Sequence, residues 1–130
     1  MKRMTFPCLI AVLSSAVIST PAAAASDDDI ALARNYLRCA AFYVFGSTDV
    51  TSQELKQQLQ DRANKSLYRA ELLMDKNRPL VRAEFGVARE KFLAEFSTEE
   101  VKADRRGFLK YMGEYCNGLR EKNEARFSTN

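Results

Sequence analysis

Residues 51–74, TSQELKQQLQDRANKSLYRAELLM, decide the reading of the whole chain. Their apolar members, Leu55, Leu59, Ala63, Leu67, Ala70, Leu73 and Met74, recur every three or four residues, the repeat of one face of an α-helix. Thr51 followed three positions later by Glu54 has the form of a capping box, so the spacing predicts a helix from there to about Lys76. The other side (Gln53, Gln57, Gln60, Asn64) is strongly polar. Tyr68 and Leu72 fall off the apolar stripe beside that surface, where exposed side chains of this kind can anchor an interface.

Working outward, the same period repeats on both sides. Asn77-Arg78-Pro79 ends the helix, and Pro79 suits the first position of a third one, which carries Val81, Phe85, Ala88, Phe92 and Phe96 on one face. Ser97 with Glu100 forms a second capping box. The fourth helix it opens buries Val101, Phe108, Leu109, Met112, Cys116 and Leu119. On the N-terminal side a helix is expected from about Asp28 to Phe45. Asp27, Asp28 and Asp29 complement its dipole and Gly46 stops it. This helix is apolar on two faces: Ile30, Leu37, Ala41, Val44 and Phe45 on one, Leu32, Tyr36, Cys39 and Tyr43 on the other. Such a helix is either central or shared with a partner. The expectation is a core helix with Cys39 facing the fourth helix; the alternative uses Tyr36 and Tyr43 as a surface for a homodimer or another protein.

The start of the chain has the three parts of a secretory signal. Lys2 and Arg3 are its basic region, Leu9 to Ile18 its apolar run, and Pro21 with Ala22 to Ala25 its break and cleavage site, with Ala23 and Ala25 as the small pair. The run is shorter than the ~20 apolar residues of a spanning helix. Cys8 precedes it and follows Pro7, unlike a lipid-anchored cysteine. The expected organisation is therefore 1–25 signal peptide, 26–120 helical domain and 121–130 polar flexible tail. The domain is all-α, a single irregular bundle of about four helices. The expected location is the periplasm, or outside the cell.

Removing residues 1–25 corrects the charge. The whole chain has 20 basic and 17 acidic residues; without Lys2 and Arg3 the count is 18 against 17, a net +1 that gives no argument for a nucleic-acid partner. Two cysteines remain, Cys39 and Cys116, an even pair that in an oxidising compartment points to a disulfide, with buried thiols or an interchain bond as alternatives. In an up-and-down bundle the expected boundaries would offset them by roughly 15–20 Å, too far for a bond, so steeply crossing helices are expected, with a topology other than a meander or an absent bond as the alternatives.

The chain has no histidine, which removes the commonest general base and metal ligand. There is no glycine-rich phosphate loop. Gly86, Gly107, Gly113 and Gly118 are scattered through helical segments, where they would allow close packing or weaken the helix locally. The acidic spots, Asp27 to Asp29 and Glu99 with Glu100, lie at helix starts, where capping explains them. No catalytic residue, metal site or cofactor is expected, and no enzyme. The unusual feature is arginine on apolar stripes: Arg34 and Arg38 on the first helix, Arg89 on the third near Arg82, Arg105 on the fourth. Pairing with carboxylates or extension of the head group to water is the simpler explanation. Convergence of Arg34, Arg38, Arg89 and Arg105 on an anion or on a partner's acids is the sharper one. The function expected is binding of a macromolecular partner, as by an inhibitor, immunity protein or chaperone. The alternatives are a carrier or sensor of a small anionic or amphiphilic ligand, and an assembly factor of a secretion apparatus.

Overall fold

The structure, a computed structural model, describes residues 25–128; all of the expected signal segment except Ala25, and the last two residues of the expected tail, lie outside the described residues. The fold is all-helical: α1 Asp27–Asp49, α2 Gln53–Leu73, α3 Arg78–Phe96, a short α4 Glu99–Ala103 and α5 Arg105–Phe127. No helix among the described residues is long and apolar enough to cross a membrane.

α1 is the hub, packing on α2, α3 and α5. It starts at Ser26, whose hydroxyl accepts from the Asp29 amide at 3.1 Å. It does not stop at Gly46. That glycine keeps a negative φ, and its small size serves the closeness of α2, since a Cβ there would meet Leu59 Cδ1 at 3.5 Å. The helix ends three residues on, where the Ser47 and Thr48 hydroxyls donate to the carbonyls of Val44 and Phe45, each at 2.7 Å. Ala33, Ala40 and Ser47 on α1 and Ala63, Ser66 and Ala70 on α2 are all buried. Small residues on both helices let the backbones approach closely, which makes this the most extensive helix pair.

Both predicted capping boxes are shifted by one residue. Ser52, not Thr51, caps α2 through the Leu55 amide; Glu54 then stands in the first turn, beside the positive end of the dipole. Ser97 is taken up by the end of α3, donating to the Leu93 carbonyl at 2.7 Å, which leaves Thr98 to cap α4 through Val101. Between α2 and α3 the chain turns through Asp75 and Lys76, both at positive φ, with the Lys76 amide closing back on the Glu71 carbonyl at 2.8 Å. Asn77 caps α3 through the Leu80 amide at 3.2 Å.

The expected fourth helix is two helices. The apolar stripe runs on from Val101 to Phe108, but Asp104 leaves helical geometry at φ −148, ψ 69, and its carboxylate accepts from the Gly107 amide at 2.9 Å. A Cβ at Gly107 would come within 2.1 Å of that carboxylate and push it out of its capping position. At Gly86, Gly113 and Gly118 an added Cβ would meet nothing within 4 Å, so these are not packing glycines. In place of the polar tail expected from residue 121, α5 continues to Phe127. Arg126 pairs with Asp29, and Phe127 stands edge-on to Tyr36. The Phe127 ring and the Arg126 ion pair together tie the last turns down.

Those boundaries remove the offset between the cysteines. Cys39 lies at the middle of α1 and Cys116 at the middle of α5, and they form a disulfide with Cα atoms 5.7 Å apart. Asp29 and Arg126, each ten residues from its cysteine, also meet. The two helices therefore run antiparallel and stay within side-chain reach over roughly 15 Å, so the offset that called for steep crossing is absent. The bond closes a 77-residue separation, worth about 4.5 kcal/mol by the chain-entropy model. Around it lies the aromatic part of the core, where Phe42, Phe45, Phe96 and Phe108 surround the buried Phe92. Toward the start of α1 the core is mixed, with Leu37, Leu73, Met74 and Val81 around the buried Tyr36.

Candidate functional site

Since α3 follows α2 by a short turn, it runs parallel to α1 and leaves a cleft along their seam. The cleft encloses about 250 Å³ above Ala88 and Phe92. Arg34 and Arg38, one turn apart on α1, form one wall. Each meets a glutamate of α3. Arg34 Nε and Nη2 donate to the two carboxylate oxygens of Glu84 at 3.2 and 3.3 Å, and Arg38 Nη2 is shared between both oxygens of Glu95 at 3.1 Å. Hydrogen bonding to Glu84, with its charge, raises the Arg34 pKa. For Arg38 burial pulls the pKa down, but Glu95 and Tyr111 outweigh it and the net direction is up. Both guanidinium groups stay charged and paired.

α5 adjoins the cleft at Arg38 without lining it. The Arg38 guanidinium lies 5.4 Å from the centroid of the Tyr115 ring, and Tyr115 stacks on Tyr111 with ring centroids 6.3 Å apart. Tyr111 is 52% exposed, and Val87 on α3 is 44% exposed beside the cleft. The face thus combines an apolar floor, two fixed ion pairs and a half-exposed tyrosine whose neighbours hold it in place.

The four arginines singled out by sequence do not converge. Arg89 leans on Phe85 from the other flank of α3, in a separate groove with Val44, Phe45 and Leu93. Arg105 lies over Phe96 at the start of α5. Tyr36 and Tyr43 are 2% and 5% exposed, so the tyrosine side of α1 is core and not a surface offered to a second copy; α2 and α5 cover it. Tyr68 is exposed, and with Leu72 it borders a groove near Asp29, Lys76 and Arg126. Sequence reasoning missed Glu84, Glu95, Tyr111 and Tyr115. The two tyrosines, four apart on α5, carried a signal as one turn of helix off the buried stripe.

Among the described residues no cluster of three or more Cys, Asp or Glu side chains could hold a metal ion. No family model matches this chain, and neither a curated protein nor a solved structure matches it.

Proposed function

We propose that the chain is an exported binding protein that grips another protein through the α1–α3–α5 face, in the manner of an inhibitor, immunity protein or chaperone, and works in the periplasm or outside the cell without catalysing a reaction. The observation that carries this is Arg38, held between Glu95 and the Tyr115 ring beside the half-exposed Tyr111. Arginine and tyrosine are the residues enriched in the buried centres of protein interfaces. Side chains already ordered in the free protein lose less conformational entropy when a partner covers them. Arg34 and Arg38 are neutralised by their glutamates and Lys91 adds one positive charge to the rim, so the fitting partner contributes an apolar side chain to the cleft over Ala88 and Phe92 and polar or acidic groups to its edges.

The test places a photo-crosslinking residue at position 111 in one protein and at position 57, on the polar side of α2, in another, both expressed with the full leader. One partner captured at 111 and not at 57, and lost when Arg38→Gln or Val87→Asp is added, supports the proposal. Equal capture from both positions, or capture indifferent to the added substitutions, overturns it. The intact mass of the exported chain checks the targeting separately: residues 26–130 less two hydrogens are expected.

A further inference from the structure

On the opposite side of α1, between α2 and α5, lies a second and larger cleft of about 570 Å³. Its floor is the Cys39–Cys116 disulfide with Tyr36 and Tyr43, all at least 95% buried. Arg62, Lys65 and Arg69 line one wall on α2 and Arg120 stands across from them on α5. Arg62 and Arg69 lie seven residues apart, roughly 10 Å along the helix.

Two features separate this cleft from the partner face. First, among the described residues none of the four cations is within ion-pair distance of a carboxylate. The guanidinium groups rest on aromatic faces: Arg62 is 6.0 Å from the centroid of Tyr43, and Arg69 is 5.7 Å from that of Tyr36 and 5.3 Å from that of Phe127. A guanidinium lying over a ring is positioned, yet keeps N–H donors at its edge that the ring does not satisfy. Second, the Tyr36 hydroxyl is buried and has no hydrogen-bond partner among the described residues. A buried hydroxyl left unsatisfied is costly, and a group in the cleft that accepts from it would remove that cost. Glu121 and Glu124 on the α5 rim leave four basic side chains against two acidic ones, a net positive lining.

We propose that this cleft binds a small anion with two or more phosphate or carboxylate groups, lying along α2 across Arg62, Lys65 and Arg69, with Arg120 closing from α5 and the Tyr36 hydroxyl donating to one of its oxygens. The volume is that of a small-molecule site, and the recessed floor suits a compact ligand. The site is independent of the partner face: its residues lie on the other side of α1.

The experiment titrates inorganic pyrophosphate and citrate into the exported, oxidised protein, followed by calorimetry and by the arginine side-chain resonances. Saturable one-to-one binding of either probe is expected, and the probe that binds identifies the head group as phosphate or carboxylate. The Arg62→Gln/Arg69→Gln variant should weaken it roughly tenfold or more, as loss of charge-assisted hydrogen bonds implies. Arg34→Gln, on the other face, should leave it unchanged. Tyr36→Phe should weaken it several-fold while the free protein melts no lower than the parent, a pairing that mere structural damage would not give. No saturable binding of either probe at millimolar concentration overturns the proposal. So does equal affinity in the double variant, an equal loss in Arg34→Gln, or unchanged affinity in Tyr36→Phe.

Discussion

The two sides of α1 treat arginine in opposite ways. Toward α3, Arg34 and Arg38 find Glu84 and Glu95 and are neutralised. Toward α2 and α5, Arg62 and Arg69 are laid over tyrosine rings, with no carboxylate within ion-pair distance among the described residues. The first arrangement consumes the donors of the guanidinium, while the second holds its position and leaves donors over. Whether an arginine is structural or available is therefore decided by what the opposing helix presents, and position on a stripe does not reveal it.

The largest expected effect comes from removing what both sides share. Replacing Cys39 and Cys116 together by alanine frees α5, which lines the basic cleft and carries the tyrosines beside Arg38. Urea unfolding should show a loss of about 4.5 kcal/mol, with both binding activities falling together; loss of one alone would mean that the faces do not depend on a common α5.

Tyr36→Phe sharpens the contrast next, because it touches only the basic side. Removing a buried, unpartnered hydroxyl should raise stability by about 1–2 kcal/mol at neutral pH. Burial pushes the Tyr36 pKa above its ordinary 10.0, with Arg69 and Arg126 offsetting part of the rise. The unfolded chain therefore releases this proton first. The contribution is intact below pH 10 and is lost as pH climbs through the folded value. Thermal melts from pH 8 to 11 should fall more steeply for the parent than for Tyr36→Phe, and parallel curves would place the hydroxyl in contact with water.

Asp104→Ala tests how α5 is aimed. Losing the cap on Gly107 should cost about 1 kcal/mol, read as a lower urea midpoint, and should let α4 and α5 merge, shifting the resonances of Tyr111 and Tyr115 more than those of Tyr36.

The smallest effect is on the paired side. Glu95→Gln leaves Arg38 without its carboxylate, and because that pair is partly exposed solvent screening holds the cost to about 1 kcal/mol or less. Arg69→Gln should cost no more than the modest cation–aromatic contact. A large loss in Arg69→Gln would show an acid paired with it after all.

The helical class, the three main stripes and the identity of the bonded cysteines were legible because each rests on local periodicity or on composition. The break at Asp104 was hidden, since the apolar stripe passes straight through it and the cap is a local competition between two helix starts. The same competition moved both capping boxes by one residue, adjacent hydroxyls being equally able to cap. The ion pairs were invisible for a different reason: Arg34 with Glu84 and Arg38 with Glu95 lie 50 and 57 residues apart, and nothing in either segment names the other. Arg62, Lys65 and Arg69 have the spacing of a solvated side of α2; only the approach of α5 turns that side into a cleft.

The bond between the midpoints of α1 and α5 also sets how the molecule yields to tension. Pulled from residues 25 and 128, the chain can lengthen only outside the ring that Cys39 and Cys116 close. About two dozen residues are then free to extend, which at 3.3–3.6 Å each is roughly 80–90 Å. The covalent load passes through the sulfurs and bypasses α2, α3 and α4. A machine that threads this protein by an end would stall on a folded, knot-like remainder until the sulfurs are separated.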